Sequence, residues 1–410
     1  MYDIVVIGGG AAGMLAASVA ADRGARVLLL ERNDKPGKKL RITGKGRCNL
    51  TNNCPVSEVI ENIPTGGRFL HSAMNAFSPR NAMELFESLG VPLKTERGNR
   101  VFPQSDSALD IVGALCRYMN KTGVSQRRGR AHGIAAENGH VTGVAAAGGE
   151  IKCGAVILAT GGMSYPATGS TGDGYNMAKD LGHTITPLRG SLVPLEADPH
   201  VCGRMQGAAL KNVQLSVYDD GVKPVFEESG ELLFTHFGIS GPLVLSASAH
   251  MREFGRKNYY ALIDFKPALD EKKLDLRILR DFEKYSNRDF INSLGDLLIR
   301  SVIPVVVEKS GIPPDMKVHS INRVQRMELV RLLKAFRIDI CGPRPVGEAI
   351  ITSGGIDLRE IEPKTMESKL VKGLYFAGEI IDADAYTGGF NLQIAWATAY
   401  AAARAAASSL

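Results

Sequence analysis

Gly8, Gly10 and Gly13 stand in the spacing Gly-x-Gly-x-x-Gly, and Glu31 follows 18 positions after the last of them. Such a pattern can hold the diphosphate and ribose of a dinucleotide, provided a strand leads into it and a helix leaves it. Each glycine has its own task. Gly8 permits a tight turn, Gly10 lets backbone approach a pyrophosphate, and Gly13 lets helix and strand pack closely. A helix N-terminus beyond them offers unpaired N–H groups and partial positive charge to phosphates. Glu31 can accept hydrogen bonds from a ribose diol, and its charge repels a 2′-phosphate. The first site is therefore expected to take FAD or NAD rather than NADP. A glycine-rich turn that binds nothing is the competing reading, but it leaves the acidic residue unexplained.

A second constellation is the basic, glycine-rich stretch from Lys35 to Asn52, KPGKKLRITGKGRCNLTN. It could wrap a diphosphate and hydrogen-bond a flavin ring, or it could be a solvated surface loop. Within it, Lys45 and Arg47 would favour a Cys48 thiolate able to react with or tune a flavin. The plainer reading of Cys48 is a small residue packed on the ring. A third constellation is Leu374-Tyr375-Phe376-Ala377-Gly378-Glu379, where a strand ends in a carboxylate suited to a polyol such as the ribityl chain of FAD. Tyr386 to Gln393, YTGGFNLQ, then opens the last helix. Its first N–H groups could stabilise negative charge on a reduced flavin ring, although alone it could be a capped structural helix. With the loop, these distant pairs tip the choice to FAD. Tyr386 is a candidate proton donor near flavin N5. His236, in FTHFGISGP, is a candidate acid or base that could reach a cleft between domains, although a lone histidine is more often structural.

The elements that must position these residues are legible. Residues 2–7 form a short β-branched run, the mark of a buried parallel strand. A small-residue helix follows from Ala11 to about Arg23, and Val27 to Leu30 makes a second strand ending at Glu31. Residues 32–55 read as a long loop. Val141 to Ala147 and Ala155 to Ala159 read as strands, the latter running into Thr160-Gly161-Gly162. From about Pro187 the pattern changes to short alternating segments separated by turns, and residues 269–340 have helical spacing. The glycine-and-strand style returns near Gly347. The fold class expected is α/β: a discontinuous Rossmann-type domain, 1–186 and 347–410, interrupted by a β-rich domain, 187–268, and a small helical domain, 269–346.

Composition sets limits. The 410 residues, 44% apolar and 22% charged, suit a globular chain of two or three domains. A formal charge of +6 is small for this length and does not by itself argue for nucleic acid. The six cysteines form no CxxC pair and have no histidine cluster beside them, so no metal site is expected and a reducing cytoplasm is. No charge-free run reaches the roughly 20 residues that span a bilayer.

The motifs GGGAAG, ITGKGRCNLTN, ATGG with TGSTGDGY, FTHFGISGP, TSGGI, TMESK and AGEIID with TGGFNLQIA resemble those of the BaiN/YhiN flavoproteins, the group that includes aminoacetone oxidase-like enzymes. They span nearly the whole chain. The resemblance implies an FAD-binding Rossmann domain, an inserted β-rich, barrel-like domain, a small helical domain and non-covalent FAD. The FAD contacts it implies are Gly8, Gly10, Ala11, Ala12, Gly13, Glu31, Arg32, Lys38, Lys39, Thr43, Gly44, Arg47, Cys48, Asn49 and Thr51. Ala131 would lie at the adenine, Thr160 and Gly161 would border the cofactor, and Gly378, Glu379, Gly389, Phe390, Asn391 and Leu392 would complete the site. Members are linked to reduction of unsaturated steroid intermediates or to amine oxidation, and a fold does not decide between these. The expectation is an FAD enzyme passing hydride between NAD(P)H and an organic substrate such as an enone. With no second GxGxxG, NAD(P)H would bind only transiently. The alternatives are an amine oxidase using oxygen, and a flavin-stabilised protein that binds RNA or a partner.

Overall fold

The computed structural model describes residues 1–409. The chain forms two compact units, Met1–Ser191 with Ala349–Leu410, and Leu192–Glu348.

The first unit is built on five parallel strands: Ile4–Ile7 (β1), Val27–Glu31 (β2), Ser125–Arg128 (β3), Ala155–Leu158 (β4) and Leu374–Phe376 (β5). Their order is β5-β4-β1-β2-β3. Ile4 lies opposite both Val27 and Ala155, and Val156 lies opposite Leu374. The apolar runs IVVI, AVIL and LYF are buried along their whole length, as strands covered on both faces must be. β3, SQRR, at one edge of the sheet, is exposed throughout, and charge there guards against further pairing.

Three helices matter for the site: Ala11–Asp22 (α1), Ala108–Thr122 (α2) and Phe390–Ser408 (α3). Residues 12–20 of α1 are all buried, so this helix has no polar face. Its alanines let α3, itself alanine-rich, pack closely against it. Trp396 of α3 is 0% exposed and meets Phe86 edge-on at 5.4 Å. β5 and α3, from the end of the chain, lie in the sheet and core that β1 and α1 begin. The 32–55 segment is less irregular than its composition suggests. It contains short turns of 3-10 type within Leu40–Gly46 and a two-residue strand, Thr51–Asn52.

The second unit contains a closed six-stranded barrel, in the order Leu195–Ala197, Gly238–Ser240, Phe226–Thr235, Ala209–Tyr218, Tyr259–Asp264 and Phe336–Pro343. Tyr259–Asp264 alternates buried and half-buried residues, the period of a strand with one face inward. Segment 269–346 supplies the helices Glu271–Lys284, Ile303–Ser310 and Arg323–Lys334, and also the last barrel strand. Its apolar residues share one core with the barrel. No helix among the described residues is long and apolar enough to cross a membrane.

Candidate cofactor site

The three motif glycines divide by what surrounds them. At Gly8, whose φ is +101°, a Cβ would lie 2.5 Å from the Ala159 carbonyl oxygen. At Gly13 it would lie 1.8 Å from the Gly8 oxygen. Internal packing therefore demands both. At Gly10 a Cβ would meet no protein atom within 4 Å. Gly10 is the N-cap of α1 and no side chain caps the helix, so the N–H groups of its first turn are offered outward. A donor set of backbone N–H groups at a helix N-terminus, reached past a residue with no side chain, fits a diphosphate.

At the end of β2, Glu31 Oε2 accepts from the Gly9 N–H at 2.5 Å, and Oε1 accepts from the Asn33 N–H and side-chain amide, each at 2.7 Å. The carboxylate is fixed beside the turn, with acceptor capacity left on Oε2. Arg32 donates to Thr171 Oγ1 and Asp173, and Arg130 forms a two-pronged pair with the same aspartate at 2.8 and 2.9 Å. Ala131, next in the chain, is 6% exposed. Thr160 and Gly161 follow β4 after Ala159, and the Thr160 hydroxyl is buried without a partner. Gly378 is pressed against α1, since a Cβ there would lie 2.9 Å from Ala12 Cβ.

The basic loop is sewn to the start of α3. Thr51 Oγ1 donates to Gln393 Oε1 at 2.8 Å, the Trp396 indole N–H donates to the Leu50 carbonyl at 2.9 Å, and the Asn52 amide donates to the carbonyls of Gly98 and Gly388. With its amide oriented to satisfy both ends, Asn49 accepts from the Gly389 N–H at 3.0 Å. Gly389 must be glycine, because its φ is +100° and a Cβ would lie 2.4 Å from Thr51 backbone. Asn391 clasps the Ala385 backbone through both amide atoms, and Phe390 is buried while Leu392 is half-buried. One of the helix-start N–H groups is therefore already used, by Asn49. The remaining N–H groups of that first turn, before the ladder begins with Gln393 donating to the Gly389 carbonyl, are the donors left for an anionic ring.

Two charges of the loop, Lys39 and Arg47, are compensated by residues far away in sequence. Lys39 Nζ donates to Glu379 Oε2 at 2.7 Å and to Ser164 Oγ at 2.6 Å. Arg47 is committed to Glu96 and Asp106, with its guanidinium 4.1 Å from the centre of the Phe102 ring. Lys38 is exposed, Thr43 donates to the Leu40 carbonyl, and Gly44 is exposed in a left-handed turn. Of the two readings of Cys48, this arrangement favours a packed thiol over a thiolate. Cys48 is 0% exposed, and burial pushes its thiol up to about 12. Neighbouring cations in sequence do not act on it, because Arg47 is turned to carboxylates and desolvation dominates.

Tyr386 is half-buried, with its backbone N–H donating to the Asn62 carbonyl at 3.0 Å. His236 belongs to the barrel unit, exposed on the turn before Gly238–Ser240, its ring edge-on to Phe237 at 5.1 Å. Sequence reasoning missed Ser164, Thr352, Asp173 and Gln393. Thr352 opens TSGGI and Gln393 lies in TGGFNLQIA, so those motifs held the signal. Ser164 falls between two motifs and carried none.

A family model described as HI0933-like protein Rossmann domain matches residues 2–405. The chain is 31% identical to a 3-dehydro-bile acid delta(4,6)-reductase of Clostridium scindens, covering 99% of both chains. It is 32% identical to a ribosomal RNA dihydrouridine synthase of Escherichia coli, covering 98% of this chain and 97% of the other. Among solved structures it resembles 3-ketosteroid delta1-dehydrogenase from Sterolibacterium denitrificans, with TM-score 0.54, 14% identity and 100% of each chain covered. It also resembles a flavocytochrome c3 fumarate reductase, with TM-score 0.50, 18% identity, and 99% and 78% coverage. At such identities the structures establish a shared fold.

Proposed function

The chain belongs to the HI0933-like Rossmann family and is an FAD-dependent oxidoreductase, and we propose that it saturates a carbon–carbon double bond conjugated to a carbonyl, with NAD(P)H as reductant. One observation carries this reading. Two relatives of nearly equal similarity, each over the full length, are named for chemically unlike substrates, a 3-oxo bile acid and a ribosomal uridine. Their named reactions have one step in common. Two hydrogens are added across a double bond made electron-poor by conjugation. In the balanced step NAD(P)H gives up a hydride that ends on the β-carbon, a proton from an acid ends on the α-carbon, and NAD(P)+ leaves.

Bound FAD supplies the two-electron carrier between nucleotide and substrate. The α1 N-terminus would hold its diphosphate past Gly10, Glu31 its ribose, and Glu379 its polyol. The first-turn N–H groups of α3 would stabilise negative charge on the ring. Tyr386 and His236 are the residues to test as proton donor.

The test is anaerobic stopped-flow spectroscopy on the purified holoenzyme. The flavin is expected to bleach with NADH or NADPH and to recover on mixing with a 4,6-dien-3-one steroid or unmodified ribosomal RNA, faster than with oxygen. Recovery with oxygen alone, and with neither conjugated substrate, would overturn the proposal in favour of an oxidase.

A further inference from the structure

Glu379 does not stand alone at the end of β5. Its Oε2 accepts from Lys39, and its Oε1 accepts from the Thr352 backbone N–H at 2.8 Å. The Ser164 hydroxyl accepts from Lys39 and lies 3.0 Å from Glu379 Oε1 and 3.2 Å from the Ile350 carbonyl, to one of which it donates. Thr352 Oγ1 in turn accepts from the Met163 N–H at 2.7 Å and the Ser164 N–H at 3.2 Å. Gly162 completes the cluster, since a Cβ there would lie 2.3 Å from Thr352 Oγ1 and 2.8 Å from Glu379 Oε1. Ser164 and Thr352 are 0% and 1% exposed, while the Lys39 and Glu379 side chains each keep 20%. The two buried hydroxyls thus lie behind the pair, and its charged ends remain partly open.

We propose that Ser164 and Thr352 are positioning residues that hold Lys39 and Glu379 as one donor–acceptor pair for a hydroxyl of the cofactor's polyol chain. The donor count supports this. A lysine ammonium has three N–H groups, and two are used here; the carboxylate has room for about four bonds, of which three at most are filled. One N–H and one lone pair remain, and a hydroxyl accepts the first and donates to the second. A lone carboxylate would satisfy only half of that hydroxyl. Compensation by Lys39 also spares the protein an isolated charge in a site that a cofactor closes to water. The proposal rests on the FAD reading above and adds to it the two residues that set its geometry.

The experiment is titration of the deflavinated full-length protein with FAD, following fluorescence quenching, alongside thermal unfolding of the same apo-proteins. Ser164→Ala and Thr352→Val are expected to raise the dissociation constant about tenfold or more, the ratio that one lost hydrogen bond to a charged group corresponds to. Thr352→Ser, which keeps the oxygen, should restore binding to within about twofold. Lys39→Met and Glu379→Gln should each weaken binding, and the double variant should lose less than the two single losses combined. FAD affinity unchanged in Ser164→Ala and Thr352→Val, with Glu379→Gln impaired, would overturn the positioning role and leave the cofactor reading standing. FAD affinity unchanged in Glu379→Gln would overturn the donor–acceptor pair itself. A wild-type protein that takes up no FAD would remove the cofactor reading beneath both.

Discussion

The turn from Gly8 to Glu31 and the cluster around Glu379, which the proposed function assigns to one polar ligand, are built in opposite ways. In the turn, strand, glycines, helix and carboxylate are consecutive, and Glu31 is fixed by the N–H groups of Gly9 and Asn33. In the cluster, Lys39, Gly162, Ser164, Thr352 and Glu379 come from four separate stretches of chain, and no two of the charged partners are near in sequence. A local turn tolerates little change in backbone, because its glycines are packed against backbone. A long-range cluster tolerates little change in side chain, because each hydroxyl serves several partners. The same contrast holds at the scale of the two units. Of the 45 glycines, 34 lie in the unit that carries the Rossmann sheet, which also holds 27 basic residues against 22 acidic; the barrel unit holds 22 against 21. The positive excess therefore belongs mainly to the unit that carries the glycine turn.

Substitution in the turn is expected to give the largest effects and to split it cleanly. Gly13→Ala should cost about 3 kcal/mol or more, because the new methyl is driven into backbone that cannot rotate away. Gly10→Ala should stay within about 1 kcal/mol of wild type in unfolding, since its methyl enters open space, yet should weaken FAD binding. Urea unfolding of the apo-proteins with FAD titration reads both. Equal loss of stability at the two positions would sink the distinction between a packing glycine and a ligand glycine.

A smaller effect is expected at a second long-range cluster, which ties α-helical and strand segments behind β5. His183 is 3% exposed, sits edge-on to Phe376 at 4.9 Å, and lies 3.0 Å from Glu360 and 2.9 Å from Ser368. Ser368 Oγ already accepts from the N–H groups of Leu370 and Val371, so it donates its proton to His183 Nε2, and Nδ1–H donates to Glu360. This resembles a hydrolase triad only in outline, since the hydroxyl's lone pairs are spent on backbone. Burial pulls the imidazole below its ordinary value of 6.5, with Glu360 opposing. A base whose folded-state pKa is lowered favours the neutral form, so its contribution is intact above the ordinary value and is lost as pH falls through the folded one. Thermal unfolding should show a fall in midpoint on acidification below about 6.5, and His183→Gln should flatten it. An unchanged acid slope in that variant would assign the loss elsewhere.

The smallest effect expected is at Cys48. A buried thiol pushed up to about 12 is protonated at neutral pH, so iodoacetamide followed by peptide mass analysis should label exposed Cys341 and leave Cys48 untouched in the native protein. Rapid labelling of Cys48 would restore the thiolate reading.

What the sequence determined by itself is the part of the protein whose physics is local. The β-branched run at Ile4–Ile7, the glycines of the turn and Glu31 specify strand, turn, helix and strand within one short segment, since φ/ψ freedom and close packing at glycine are properties of single residues. The apolar run Leu374–Phe376 is legible in the same way, because β5 needs buried apolar residues wherever it lies in the chain. Only the tertiary structure decided which charges meet. Composition presents Lys39, Arg47 and Lys45 as one basic loop, but folding sends Lys39 to Glu379 and Arg47 to Glu96 and Asp106, and closes Cys48 from solvent. Ser164 and Thr352 acquire their place in the same way. Hydrogen bonds and ion pairs act over a few ångströms in space, and a sequence orders residues only along the chain.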